Sequence, residues 1–404
     1  MKIEAHTLQK TLIYCIYALI FFLPLYEAPK NIAIVFVLAL WTTRSLLTSD
    51  WGGSWSKWDT SAIFIMLAGF GSVFFGHYPV DKGVISAGDI LSYSMIFMLV
   101  RRMKFDGDVT KNIILIMIAS TFITLLLGYW LHFYTKSTGH LQLNSVGHVN
   151  HSAIYLAIVT ASALALMVSK NSLVLKVLIT TIFAVFAYSI FVMSARGTII
   201  PLVLFVFLVA IYKAGSLRQV AIYAFGIFLA LGSLVYLQPG VLDKSSGNIK
   251  SLDYSSKRLE LANTAFVAAK ESPVFGSGLN NFWKISESDV KYFEESRGRV
   301  FDPSRFYFSS HAHNLYFNTL ATQGIVGLLA VLLFIGMIGH HLFTNRPRNG
   351  QAGSMLWYGA LGAFVVVVFG GVFNTTLHHE HGMLAMLVFA LYLSNANGRL
   401  ASNG

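Results

Sequence analysis

Cysteine is nearly missing from this 404-residue chain: Cys15 stands alone, so no disulfide can form within the molecule and any ordered loop must be held by packing. Charge is sparse too, at 12% Asp, Glu, Lys and Arg against roughly a quarter in soluble domains. Acids are the scarcer sign, 18 against 29 Lys and Arg. A Gly-rich phosphate loop ending in Lys-Ser or Lys-Thr is lacking, which leaves an ATP-driven pump without a visible motor. Internal repeats and low-complexity tracts are lacking as well. What fills the chain instead is apolar: 55% hydrophobic and 14% aromatic residues, with a mean hydropathy of +0.63. That composition belongs in a bilayer.

A helix needs about 20 mainly apolar residues to cross the hydrocarbon core. Such stretches centre on Leu19, Val37, Met66, Ser94, Phe122, Ala161, Phe183, Phe205, Phe228, Val331, Val366 and Leu387. The expected fold is therefore all-α and polytopic, with about 12 transmembrane helices. Placing both termini in the cytoplasm puts 15 Lys and Arg, Arg101, Arg102 and Arg346 among them, in cytoplasmic connections. Only Lys30, Lys82, Lys136 and Arg196 fall in the short outside loops. The basic excess of +11 then reflects membrane orientation and anionic headgroups, not nucleic acid. The apolar opening, with no small-residue cleavage site, is expected to stay as the first helix.

Three segments follow: helices 1 to 9 over residues 1–238, a long outside loop over 239–312, and helices 10 to 12 over 313–404. The loop carries ten basic and nine acidic residues and many aromatics, the profile of a folded cap. "YSSKRLELANTAFVAAKESP" predicts a helix capped by Ser255 or Ser256, with Leu259, Ala262, Phe266 and Ala269 on one face, ending before Pro273. "FWKISESDVKYFEESRG" predicts a second, amphipathic helix with Phe282, Ile285 and Phe293 on its apolar side.

Arg196, in "FVMSARGTIIPL", lies between two apolar runs, where a charge is costly unless it meets water, a partner or a ligand. Ser194 and Gly197 leave room beside a guanidinium that can grip phosphate in bidentate fashion; snorkelling to headgroups is the plainer alternative. Arg258 stands in the first turn of a helix, where the dipole disfavours a cation, a misfit that an anionic ligand would relieve. Lys82 adds to the same field. In "HAHNLYFNTLATQGIVGLL", His311 and His313 stand at the lip of an apolar helix, and His313 is the best placed general base near neutral pH. Asn314 is expected to orient His313 or bind sugar. Gly324 and Gly327 would let this helix pack closely on a neighbour.

Three acidic or histidine-rich features point elsewhere. Asp106-Gly107-Asp108 reads as a solvated cytoplasmic turn, not a metal site. "HHEH" at residues 378–381 lacks the helical i, i+4 pairing of zinc hydrolases and reads as an interfacial cluster that could line the site. Asp89, near the outside end of the fourth span, is expected to face water.

His313-Asn314, nine residues, then Gly324-Ile325-Val326-Gly327 resembles the signature shared by bacterial O-antigen ligases, O-antigen polymerases and pilin oligosaccharyltransferases. "SARG" and "KRLELANTAFVAAKESPVFGSGLNNF" resemble the arginine-bearing segment and the loop opening of that superfamily. The resemblance implies an enzyme of the inner membrane working on its periplasmic side without metal or cofactor. Its donor would be a glycan on undecaprenyl pyrophosphate and its acceptor a sugar hydroxyl of the lipid A core, joined with inversion. Arg196, Arg258 and, more weakly, Lys82 would hold the pyrophosphate, and His313 would be the catalytic base, with His311, Asn314 and the two glycines supporting. Trp283, Phe306, Tyr307 and Phe308 would line sugar or lipid paths, or anchor at the interface. The alternatives are a polymerase or pilin transferase with the same donor, and a non-enzymatic flippase for polyprenyl-linked glycans.

Overall fold

The computed structural model describes residues 2–80, 82–168, 172–237, 257–347 and 353–400. All regular structure among them is helical. In chain order the helices are α1 (Lys2–Phe22), α2 (Glu27–Thr48), α3 (Lys57–Phe75), α4 (Gly83–Arg102), α5 (Gly107–Tyr129), α6 (Val149–Met167), α7 (Leu173–Val192), α8 (Arg196–Lys213) and α9 (Leu217–Leu237). Two follow in the long loop, α10 (Arg258–Glu271) and α11 (Glu287–Ser296), and then α12 (Leu315–Thr344), α13 (Ser354–Gly370) and α14 (His379–Leu400). Nine of these, α2 to α9 and α12, are long and apolar enough to cross a membrane, and α13 is a shorter apolar helix. A helix also lies over each of the twelve apolar stretches read from the sequence, α1 and α14 included.

Helix α6 is the axis of the bundle, buried from Ser152 to Leu166. Small residues let its neighbours close in: a Cβ on Gly362 of α13 would overlap that of Ala161. On the other side, Phe97 of α4 meets the ring of Phe334 of α12 edge-on at 5.3 Å, and Phe334 meets Phe389 of α14 at 6.2 Å. In lipid such contacts act through dispersion and close fit, since tails outside are as apolar as the core. Among the described residues, two buried ion pairs join helices within the bundle. Asp59 of α3 is fully buried and accepts from Arg101 Nη2 at 2.6 and 2.7 Å and from Arg102 Nε at 3.1 Å. Lys30 of α2 pairs with Glu380 of α14, both buried. Arg101, Arg102 and Lys30 thus belong to helices and are used for packing, instead of standing free in loops. A lone charge could not be buried there, but one met by an opposite charge at hydrogen-bond distance can.

The described part of the loop has its own core, formed by Leu261, Ala265, Phe282, Ile285, Val290 and Phe293 with Phe306 and Ala321. The face of α10 differs from the expected one: Leu259 is 73% and Phe266 42% exposed, while Leu261 is fully buried. The shift follows from what covers the helix, since α12 and the loop core take the Leu261–Ala265–Ala268 side. Ser255 and Ser256 lie outside the described residues; the residue preceding the helix is Lys257, with no side-chain cap. The second helix is shorter than expected, since a 3-10 turn occupies Phe282–Lys284 and a Ser286/Asp289 capping box starts α11 at Glu287. Phe282, Ile285 and Phe293 are buried as its apolar side.

Gly324 departs from the expected role. It breaks α12 with φ +64° and ψ −163°, and the space where a Cβ would stand is taken by the Val274 carbonyl. The close approach is made by the loop, not by a neighbouring helix. Ser277 and Gly278 donate to the carbonyls of Ala321 and Thr322 at 2.7 and 3.0 Å, and Ile325 donates to that of Pro273 at 2.9 Å. The "PVFGSG" segment thereby satisfies the backbone groups freed by the break. Gly327 is likewise confined by its own chain, with a Cβ there running into the Gln323 side chain.

Candidate functional site

Helices α4, α6, α8, α12 and α14 all begin at the end of the bundle that carries the loop. Their N-termini turn partial positive charge and free N–H groups toward one place, a field that suits an anion. The turn after α13, residues 371–373, is the meeting point. Leu315 donates its N–H to the Gly371 carbonyl at 2.7 Å, and Asn314 Nδ2 donates to that of Val372 at 2.9 Å. Phe373 receives the Arg258 guanidinium over its ring, 5.2 Å from the centroid. A Cβ on Gly197 would stand 2.6 Å from that of Phe373, so Gly197 lets the start of α8 close on the same ring.

Three residues chosen from the sequence therefore meet at one turn: Arg258 directly, Arg196 through the adjoining Gly197, and His313 through its neighbour Asn314. Arg196 is half-buried at the first position of α8, just after Ser194 at φ +52°. His313, at φ +47°, lies 4.0 Å ring to ring from His311. Burial, His311 and then Arg258 hold the His313 imidazolium down to about 3, so the ring is neutral and close enough to feel the guanidinium. Burial also lowers Arg258, which remains a cation. Asn314 is the N-cap of α12: its Oδ1 accepts from Tyr316 and Phe317, both at 2.9 Å. Its amide thus serves the helix start and the 371–373 turn. Lys82 is exposed at the start of α4, apart from this group.

Beside it opens a cavity of about 240 Å3 lined by the starts of α4, α6, α12 and α14 and by the 279–282 and 310–311 segments. His311 lines it, and so do His151, His378, His379 and Asp89. The histidines assemble around His151, with His381, His378, His379 and His311 at 5.0, 5.9, 6.1 and 6.4 Å ring to ring. Among the described residues no three His, Cys, Asp or Glu side chains are set to hold a metal ion. Asp89 does not simply face water: its Oδ2 accepts from His379 Nδ1 at 3.0 Å. Asp106 caps α5, accepting from Val109 N–H at 2.7 Å, instead of forming a free turn. The aromatics divide. Phe282, not Trp283, lines the cavity; Trp283 is exposed, and Phe306 packs in the loop core, stacked on Phe301 at 5.7 Å.

The sequence reading missed His151, Phe373 and the paired role of Asp89. A signal for His151 was present: "HVNHSAIYL" sets histidines at the start of an apolar helix just as "HAHNLYF" and "HHEHGML" do. Three such starts on one face bring their rings together. Nothing comparable marks Phe373.

A multi-pass helical membrane protein with cations and imidazoles gathered at one end is the class that fold and site define. Residues 149–332 match the family model for O-antigen ligase. The family indicates glycosyltransferase activity of the O-antigen ligase or polymerase type. No curated protein matches the chain. The matched segment includes Arg196, Arg258, His311, His313, Asn314, Gly324 and Gly327; Lys82, Asp89, Phe373 and His379 lie outside it.

Proposed function

We propose that the protein is an O-antigen ligase of the bacterial inner membrane, with N- and C-termini in the cytoplasm and its site on the periplasmic side. It would move a glycan from undecaprenyl pyrophosphate to a sugar hydroxyl of the lipid A core. The observation that carries this reading is the meeting of Arg196, Arg258 and His313 at the 371–373 turn, under a loop docked into the break in α12. The diphosphate lies between the two guanidiniums, with Lys82 as an outlying contribution to the field. The acceptor oxygen attacks the anomeric carbon as the bond to the diphosphate oxygen breaks. Undecaprenyl pyrophosphate leaves with the electron pair, and the hydroxyl proton passes to His313. Attack opposite the leaving group inverts the anomeric centre.

The chemistry suits these residues. A diphosphate already leaves well, so the paired carboxylates of a glycosidase are not required. Cations aimed at the leaving oxygens supply what the transition state needs, with no metal or cofactor called for. Donor binding also readies the base, since the diphosphate offsets Arg258 and lets the His313 basicity rise from its depressed value. Both substrates are lipid-borne and enter from the membrane.

The test is transfer by purified protein from an undecaprenyl pyrophosphate glycan to either lipid A core or a second lipid-linked glycan, without nucleotide and with chelator. Ligated lipopolysaccharide supports the ligase. Extension of the lipid-linked glycan would make it a polymerase. Movement of the lipid across vesicles that survives His313→Ala would make it a flippase.

A further inference from the structure

The cavity beside the cations takes no part in the chemistry above. At about 240 Å3 it falls below the roughly 300–1,000 Å3 of pockets for drug-sized ligands, so it takes one compact group and not a glycan chain. Its polar lining is of amides, imidazoles and one carboxylate, among them Asn280, Asn318, Gln323 and Asp89, set beside apolar side chains such as Ile90 and Phe282 that suit the face of a sugar ring, and no described Lys or Arg takes part. A carboxylate with no cation in the same wall repels phosphate and accepts from hydroxyls. The ligand chemistry is that of a neutral polyol.

Within this wall Asp89 and His379 act as a unit, though 290 residues apart. The carboxylate only accepts, so His379 Nδ1 donates at 3.0 Å, and in the neutral ring this leaves Nε2 as an acceptor. The backbone of His379 is held at φ +45° and that of Asn280 at φ +59°, the left-handed region that side chains other than glycine rarely occupy. Such strain persists where the surroundings fix a residue for a task. His311 links the two places, lining the cavity and lying against His313.

We infer that the cavity is the subsite for the acceptor sugar, and that His379, oriented by Asp89, accepts a hydrogen bond from one of that sugar's hydroxyls and sets acceptor specificity. The inference rests on the glycosyl-transfer reading for the identity of the acceptor. The attacking sugar sits in neutral surroundings, the diphosphate among the cations, and the two meet at His313.

The experiment measures binding of rough lipopolysaccharide (lipid A with core sugars and no O-antigen) and of undecaprenyl pyrophosphate to the full chain in nanodiscs. His379→Gln and Asp89→Asn are each expected to weaken rough lipopolysaccharide about tenfold, the worth of one hydrogen bond, with undecaprenyl pyrophosphate affinity held within about twofold. In transfer, the acceptor KM rises while kcat changes less than about threefold. Unchanged acceptor affinity overturns the proposal, as does equal weakening of both ligands. Selective loss of the glycosylated donor assigns the cavity to the donor's sugar and overturns it as well. Melting curves check folding, and Asp89→Asn, which keeps size, decides if His379→Gln melts early. Wild-type protein that binds rough lipopolysaccharide yet transfers nothing would sink the ligase reading alone; transfer with unaltered acceptor KM in both variants would sink the subsite alone.

Discussion

The Phe373 side of the site and the His379 side are built from opposite materials. Around Phe373 stand the Arg258 guanidinium, the start of α8 that carries Arg196, and the segment that carries the neutral His313; around His379 stand a carboxylate, amides and hydroxyls. The family match covers Arg196, Arg258 and His313 on the first side and stops before both members of the Asp89–His379 pair on the second. In the proposed reaction a charged leaving group and a neutral nucleophile need different surroundings, and separating them would keep the carboxylate from weakening the hold on phosphate. The match also takes in His151, Asn280, His311 and Asn318 on the cavity side and leaves out Phe373 on the cation side, so both sides draw on it, while the Asp89–His379 pair is carried by α4 and α14.

The sharpest way to break this contrast is at His313, where the two sides meet. His313→Ala should lower transfer about 1,000-fold while undecaprenyl pyrophosphate still binds, measured as single-turnover rate beside equilibrium affinity. Arg196→Ala and Arg258→Ala should each cost about 100-fold in kcat and also weaken the diphosphate, which no change at His379 should do. Gly324→Ala tests what holds both sides in place. A Cβ there overlaps the Val274 carbonyl at a left-handed φ, so melting in detergent should show destabilisation on the order of 3 kcal/mol.

Proton dependence sharpens the contrast further. The unliganded His313 imidazolium, at about 3, lies below the usual 6.5, so its stabilising neutral form is complete above about pH 6.5 and is lost as pH falls toward 3. The acid limb of kcat/KM, which reports the free enzyme, should therefore lie far below pH 6.5. Arg258→Gln should move that limb upward, because removing a neighbouring cation makes the imidazolium easier to form. The smallest effect is expected at Lys82: exposed at the start of α4 and outside the cavity lining, its change to Ala should alter kcat/KM less than about threefold.

How much could be read in advance differs by element. Hydropathy located every long helix because a span must be apolar over its whole length, whichever neighbour it meets. The side of α10 could not be read that way. Leu259 and Leu261 are equally apolar, and only docking on α12 decides which one is covered. Arg196, Arg258 and His313 stood out because a charge or an imidazole at a membrane boundary is costly or rare enough to need a reason. Phe373 gave no such signal, since one phenylalanine among 32 differs from the rest only in what lies against it.

Composition and periodicity determined by themselves that this chain forms a bundle of apolar helices, and that its unusual charges lie near the ends of apolar stretches. Those are local properties, fixed by what each short segment must satisfy in lipid or water. The tertiary structure alone decided that the loop threads into a break at Gly324, that three histidine-bearing helix starts share one cavity, and that Asp89 meets His379 across 290 residues. Contacts between distant segments depend on how whole helices pack, and packing is settled by the fit of every surface at once.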